Sequence, residues 1–153
     1  MDQKIILKNF NPEFYSYDTA NDAPLGRGSF GKVYKATIRE EFKSSGLPSE
    51  TALKHQTWRV PGSGYEETER NLIDFVGLNF QNTNLVSIFA ISTKESRGWK
   101  TQHIFMELCH ESLYDYIKDQ QDFSLPELQH VAHGVLSGLV HLHGLSIIHR
   151  ETC

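Results

Sequence analysis

The apolar positions along the chain change their period from one stretch to the next. From Leu25 to Ile38 glycines punctuate two β-prone pieces, and the second, Lys32-Val33-Tyr34-Lys35-Ala36-Thr37-Ile38, has the alternation of a hairpin arm, so a strand-loop-strand is expected. Residues Glu40 to Glu50, with Ser44-Ser45-Gly46 and Pro48, read as a polar surface connection to a third strand at Thr51 to His55. Gly64 to Val76 opens on acidic residues and carries Leu72, Ile73 and Val76 at helical spacing, which predicts an amphipathic helix with its acidic start at the favourable end of the dipole. Two further strands are expected at Leu85 to Ile91 and His103 to Leu108, separated by the charged turn Lys94 to Gly98. Leu128, Val131, Val135, Leu139 and Leu142 then form a single apolar stripe, predicting a helix from Pro126 to about His143. Ahead of all this, residues 1–22 contain the breakers Asn11-Pro12 and Asn21-Asp22 and read as a leader with one short strand at Ile5 to Leu7. The order of strands, helix, strands and helices is that of an α+β protein.

Composition narrows the class. The 153 residues are long enough for one domain or part of one, and 39% hydrophobic with 22% charged residues is the balance of a globular chain, not a disordered one. A net charge of −4 with scattered lysines and arginines supplies no basic face, so no nucleic-acid partner is expected. Cys109 and Cys153 lie in unrelated contexts and make no disulfide framework, which fits a reducing, cytoplasmic location. The start lacks a signal-peptide core and no apolar run approaches the length of a membrane span, so no membrane is expected either. Of the eight histidines, His130 and His133 lie a turn apart and His141, His143 and His149 cluster, but no cysteine or carboxylate completes a ligand set, and no metal site is expected.

The chemistry begins in Leu25-Gly26-Arg27-Gly28-Ser29-Phe30-Gly31-Lys32-Val33. A phosphate tail needs backbone N–H groups aimed at it without Cβ atoms in the way, and Gly26, Gly28 and Gly31 at a hairpin tip supply that. A dinucleotide fold would have these glycines open a helix, whereas here a strand continues; no Walker Gly-Lys-Ser/Thr occurs. Alone, such glycines also fit an ordinary turn. A lysine in Thr51-Ala52-Leu53-Lys54, and a chain that reaches Ile147-Ile148-His149-Arg150-Glu151, complete the pattern.

Residues 25–150 resemble the N-terminal lobe and the beginning of the C-terminal lobe of a eukaryotic protein kinase. That family carries G-x-G-x-x-G-x-V, a third-strand V-A-I-K and H-R-D, read here as GRGSFGKV, TALK and HRE. The resemblance implies an antiparallel N-lobe sheet with one helix of the αC type over about 23–108, a hinge over about 107–112, and the first helices of a truncated C-lobe over about 113–153.

By the same resemblance, Lys54 holds the α- and β-phosphates of ATP and is itself held by a glutamate of the first helix. Glu69 fits best, in Glu69-x-x-Leu72-Ile73-x-x-Val76, with Glu66 or Glu67 as substitutes; a solvated acidic helix face would give the same pattern. Leu25, Val33 and Ala52 form the roof of the adenine slot, with Ser29 in the loop over the phosphates. Ile104-Phe105-Met106-Glu107-Leu108-Cys109 resembles the hinge: Met106 is the gatekeeper, the Glu107 carbonyl accepts from the base, and Cys109 faces it through its N–H and carbonyl. Cys109 otherwise reads as a buried small hydrophobe, and His149 as the structural histidine of the catalytic loop.

Glu151 stands where the family has its catalytic aspartate, one methylene longer and a doubtful base, and the metal-binding asparagine and D-F-G aspartate have no counterpart among the residues given. Mg²⁺ is therefore expected only with the remainder of a C-lobe, and the chain is expected to be a truncated kinase domain, cut by a gene-prediction error, a splicing event or an artificial boundary, and inactive as it stands. The alternatives are a pseudokinase-like module that binds ATP or a partner protein without catalysis, and a product with no stable fold. The hinge followed by Ser112-Leu113-Tyr114-Asp115-Tyr116-Ile117 looks more like serine/threonine kinases than receptor tyrosine kinases. The apolar stripe of the last helix, short of the helices a whole kinase packs on it, implies self-association.

Overall fold

The computed structural model describes residues 7–8, 10–18, 23–28, 31–45, 47–60, 82–119 and 124–148. They fall into two compact units, one within Met1–Asn79 and Ser87–Leu108, the other within Phe80–Val86 and Cys109–Cys153. The predicted helix over Gly64 to Val76 lies outside the described residues.

In the first unit the described strands are β1 (Leu7–Lys8), β2 (Tyr15–Ser16), β3 (Gly26–Gly28), β4 (Gly31–Ile38), β5 (Glu50–Arg59), β6 (Ile88–Ser96) and β7 (Trp99–Met106). They form one sheet in the order β1-β6-β7-β5-β4-β2, with β3 folded back on β4. Every pairing is antiparallel except β1 with β6. The sheet of antiparallel strands followed by helices is the architecture the kinase resemblance implies.

Several boundaries differ from the sequence expectation for identifiable reasons. The charged run from Lys94 to Ser96 is strand, and the turn shrinks to Arg97-Gly98, both at positive φ (51° and 75°), as the tight primed hairpin turns require. These side chains are exposed, and Glu95 sits directly opposite Lys100, so polarity there marks a solvent-facing hairpin end instead of a loop. The β5 strand runs to Arg59 because β7 pairs with it along its whole length from Ala52↔Met106 to Arg59↔Trp99. The polar connection contains a 3-10 helix, Glu40–Ser45, whose Phe42 stacks on Phe14 at 4.2 Å.

Alternation decides which residues form the core. Along β4, Tyr34, Ala36 and Ile38 are buried and Lys35 and Thr37 exposed. Register puts Leu53 opposite Tyr34, Phe105 opposite Leu53, and Ala90 opposite Phe105, all on one face. A bulge between Ile88 and Ala90 turns both Phe89 and Ala90 toward that face. The leader completes this core. Phe10 and Tyr15 are buried, their rings lie 5.1 and 5.2 Å from Phe105, and the Tyr15 hydroxyl donates to the Pro48 carbonyl (2.8 Å).

The second unit has α1 (Leu113–Asp119) and α2 (Leu125–Gly144). The first opens on Ser112, whose hydroxyl accepts from the Asp115 N–H (3.1 Å). The longer helix opens on a capping box, Ser124 with Glu127, and Tyr116 of α1 donates its hydroxyl to Glu127 (3.1 Å). Of the predicted stripe, Leu142 is buried, whereas Leu128 and Val135 stay more than half exposed (54% and 53%). The helix instead seats Asn84 against its glycines: a Cβ on Gly138 would come within 3.2 Å of the Asn84 carbonyl, and one on Gly134 within 3.3 Å of its side-chain oxygen. Gly138→Leu is accordingly expected to lower stability by about 1–3 kcal/mol through overpacking. Gly144→Ala, where no described atom lies within 4 Å of the new Cβ, should be neutral or stabilising. Urea titration followed by circular dichroism distinguishes the two.

Candidate functional site

The opposite face of the same sheet carries the other half of the alternation. Register pairs Val33 with Lys54, Lys54 with Ile104, and Ala52 with Met106, so these side chains leave the sheet on one side. Ile91 lies opposite Ile104 and Ile88 opposite Met106, and the three isoleucines form a small apolar cluster. Lys54 is half-buried within this face: its stem has apolar neighbours and its ammonium is the charge they carry. Ala52 is buried; Val33 and Met106 are half-buried.

The glycine strand lies next to this face, with Gly26 opposite Val33 and Gly28 opposite Gly31. Its glycines have different reasons to be glycine. At Gly31 φ is +145° and a Cβ would stand 2.5 Å from the His55 carbonyl oxygen, so the backbone itself excludes a side chain. At Gly26 and Gly28 no described atom comes within 4 Å of an added Cβ, so nothing described in the fold demands a glycine there. Leu25 precedes them, 56% exposed.

The far end of β7 is fixed by three hydrogen bonds. The Thr51 hydroxyl donates to the Met106 carbonyl (2.6 Å), the Glu107 N–H donates to the Ser87 carbonyl (2.8 Å), and the Glu107 carboxylate accepts from the Ser87 N–H (3.3 Å). Thr51, wholly buried, and the amide pair below were not singled out by motif. On the Lys54 face, Gln56 donates to Gln102 (2.6 Å), which donates on to Thr93 (3.4 Å), and both glutamines are buried. In the sequence they sit inside the unbroken polar runs Lys54–Thr57 and Lys100–His103, where no alternation sets them apart.

Of the residues expected at the site, Val33, Ala52, Lys54 and Met106 share one face, with Gly26, Gly28, Gly31 and Leu25 on the adjoining hairpin and Glu107 next along the chain. Cys109 belongs to the second unit and is exposed, not the buried small hydrophobe expected of it, because the strand has already ended at Met106. Ser29, Glu69, His149 and Glu151 lie outside the described residues. Among the described residues no group of three or more metal-ligating side chains occurs, and no helix is long and apolar enough to cross a membrane.

The hairpin of glycines beside a lysine-bearing strand matches the glycine-loop and third-strand lysine motifs of protein kinases, and comparison with known proteins agrees. The family model for protein tyrosine and serine/threonine kinases matches residues 19–153, and the chain belongs to that family. It is 29% identical over 132 residues to the serine/threonine-protein kinase pakF of Dictyostelium discoideum, covering 85% of this chain and 10% of that protein. It is 26% identical over 149 residues to cyclin-dependent kinase 9 of Danio rerio, covering 93% of this chain and 37% of that one. An Aurora kinase of Yarrowia lipolytica is 26% identical over 127 residues, 83% of this chain and 32% of the relative. The chain thus spans well under half the length of these relatives.

Proposed function

We propose that the Lys54 face of the sheet is the ATP-binding surface of a protein kinase domain, of the serine/threonine type that the name of the Dictyostelium discoideum relative carries. The observation that carries this reading is the register that sets Val33, Ala52 and Met106 around Lys54 while Gly26 pairs with Val33. An adenine ring needs an apolar wall, which Val33, Ala52 and Met106 offer, and a triphosphate needs a cation and close backbone approach, which Lys54 and the open positions at Gly26 and Gly28 offer. Leu25, Ser29, Gly31, Glu107 and Cys109 are assigned nucleotide contacts, and Glu69 the partner of Lys54, on the family motif alone.

Lys54→Ala tests it. Loss of a charge-assisted contact to phosphate is expected to weaken ATP binding about 10- to 100-fold, since such bonds contribute roughly 1.5–3 kcal/mol. The far-UV circular dichroism should hardly change. An ATP affinity unaltered in that variant, measured by calorimetric titration, would remove Lys54 from the site.

The 153 residues contain no Asp-Phe-Gly and put Glu151 after His149-Arg150. A polypeptide of these residues is proposed to bind ATP without the family's Mg²⁺ ligands and to transfer no phosphate, behaving as a pseudokinase-like module; a whole protein containing it would act on protein substrates. Phosphoryl transfer above background, lost on Glu151→Ala, would make Glu151 a working base. The exposed Leu136 and Val140 of α2, beside Leu128 and Val135, further propose self-association or capture of a partner protein. Light scattering that finds only monomer would refute self-association.

A further inference from the structure

On the aromatic face, away from Lys54, two histidines meet across neighbouring strands. His55 Nδ1 and His103 Nε2 are 2.9 Å apart, with ring centroids at 4.9 Å. His55 Nε2 lies 3.3 Å from the Thr57 hydroxyl, and His103 Nε2 lies 3.4 Å from the Tyr17 hydroxyl of the leader. Two neutral arrangements fit: His103 Nε2–H donates to His55 Nδ1 while His55 Nε2–H donates to Thr57, or His55 Nδ1–H donates to His103 Nε2, which then also accepts from the Tyr17 hydroxyl, while His55 Nε2 accepts from Thr57. At the 2.9 Å contact only one nitrogen can hold a hydrogen, so a doubly protonated pair would aim two N–H groups at one another.

The surroundings oppose even the first proton. From β4, Lys32 stands opposite His55 and adds a positive charge; from the leader, the phenol of Tyr17 faces His103; from β6, buried Ser92 lies opposite His103. Burial, and then the Lys32 charge, hold His55 below the usual imidazole range, and burial, with His55 beside it, pushes His103 down to about 4. Burial also raises the Tyr17 phenol, which keeps it a neutral hydroxyl.

We propose that Tyr17, His103 and His55 form an acid-sensitive clasp that holds the end of the leader on the sheet, and that protonation of the histidine pair opens it. The sign follows from the directions. Both imidazoles stay neutral when docked and take up protons when released, so the docked state is fully favoured above pH about 6.5 and is lost progressively as pH falls from there toward about 4. The leader runs on into the glycine hairpin, and the His55 carbonyl is the atom that Gly31 packs against, so the clasp sits on the chain that leads to the nucleotide face. The proposal itself rests on the side-chain network and not on nucleotide binding.

Hydrogen exchange of the 153-residue chain from pH 7 to pH 5, corrected for the intrinsic pH dependence of exchange, reads the clasp directly. Protection of residues 10–18 is expected to fall, approaching about tenfold per pH unit between pH 6 and 5 if one proton is taken up on opening. The fall should be reduced in His103→Gln and in His55→Gln, and abolished when both are replaced. A parallel proton NMR titration of the wild type needs no variant: both imidazoles should titrate below the ordinary value near 6.5. Leader protection independent of pH, or the wild-type pH dependence in these variants, overturns the proposal. Either histidine titrating at or above the ordinary value does so as well.

Discussion

Phe105→Ala is expected to cost about 3–5 kcal/mol, the range for truncating a fully buried aromatic ring, and so to unfold most of the first unit at physiological temperature. Phe105 has no exposed surface, and its ring meets rings of both the leader and β6. It stands opposite Leu53 in β5 and Ala90 in β6, and it meets Phe10 edge-on at 5.1 Å, Tyr15 at 5.2 Å and Phe89 at 6.5 Å. Because two of those rings come from the leader, the same substitution should release residues 10–17, and Phe10→Ala should reproduce part of the loss. Chemical denaturation followed by tryptophan fluorescence measures it. A loss under 1 kcal/mol for Phe105→Ala would mean that the leader does not dock on the sheet in solution.

This core shows where the sequence was legible. The β4 alternation could be read directly, because Lys35 and Thr37 face water while Tyr34, Ala36 and Ile38 do not. Once β4 and β5 are paired, parity places Lys54 on the face away from Leu53, and the candidate site follows from local pattern plus one register. The leader could not be read in this way. Phe10, Phe14, Tyr15 and Tyr17 are interrupted by Asn11-Pro12 and have neither a helical nor a strand period; they reach the core through a 3-10 turn and a two-residue strand. Their burial is a tertiary fact, set by an aromatic face on strands far away in sequence. The ends of β6 and β7 depart from the sequence expectation for the opposite reason. Charge at Lys94–Ser96 is tolerated in a hairpin end that projects into water, so composition there reported exposure and not chain reversal. In α2 the apolar period correctly located the helix, but periodicity says nothing of what covers a stripe, and Leu128 and Val135 remain exposed.

The glycines of the hairpin allow the structural and the nucleotide roles to be separated, and Gly31→Ala should have the second large effect. With φ at +145° and the new Cβ placed 2.5 Å from the His55 carbonyl oxygen, either β4 must move away from β5 or the hairpin tip must refold. The neighbour is backbone, which cannot swing aside, so a loss of about 3 kcal/mol or more is expected. Gly26→Ala and Gly28→Ala meet no described atom within 4 Å, and a strand glycine replaced by alanine is favoured by roughly 0.5–1 kcal/mol, so neither should lower the unfolding midpoint. If the hairpin covers a phosphate tail, however, these same two methyl groups stand where the backbone must approach it, and ATP affinity should drop by about tenfold or more at unchanged stability. Midpoint and affinity, measured on all three variants, therefore move in opposite patterns: Gly31→Ala loses stability first, Gly26→Ala and Gly28→Ala lose binding alone. Full ATP affinity in the latter two would show that the hairpin is an ordinary turn and that the nucleotide does not lie beneath it. A Gly31→Ala protein as stable as the parent would show that β4 and β5 are not in the register on which the placement of Lys54 beside Val33 depends.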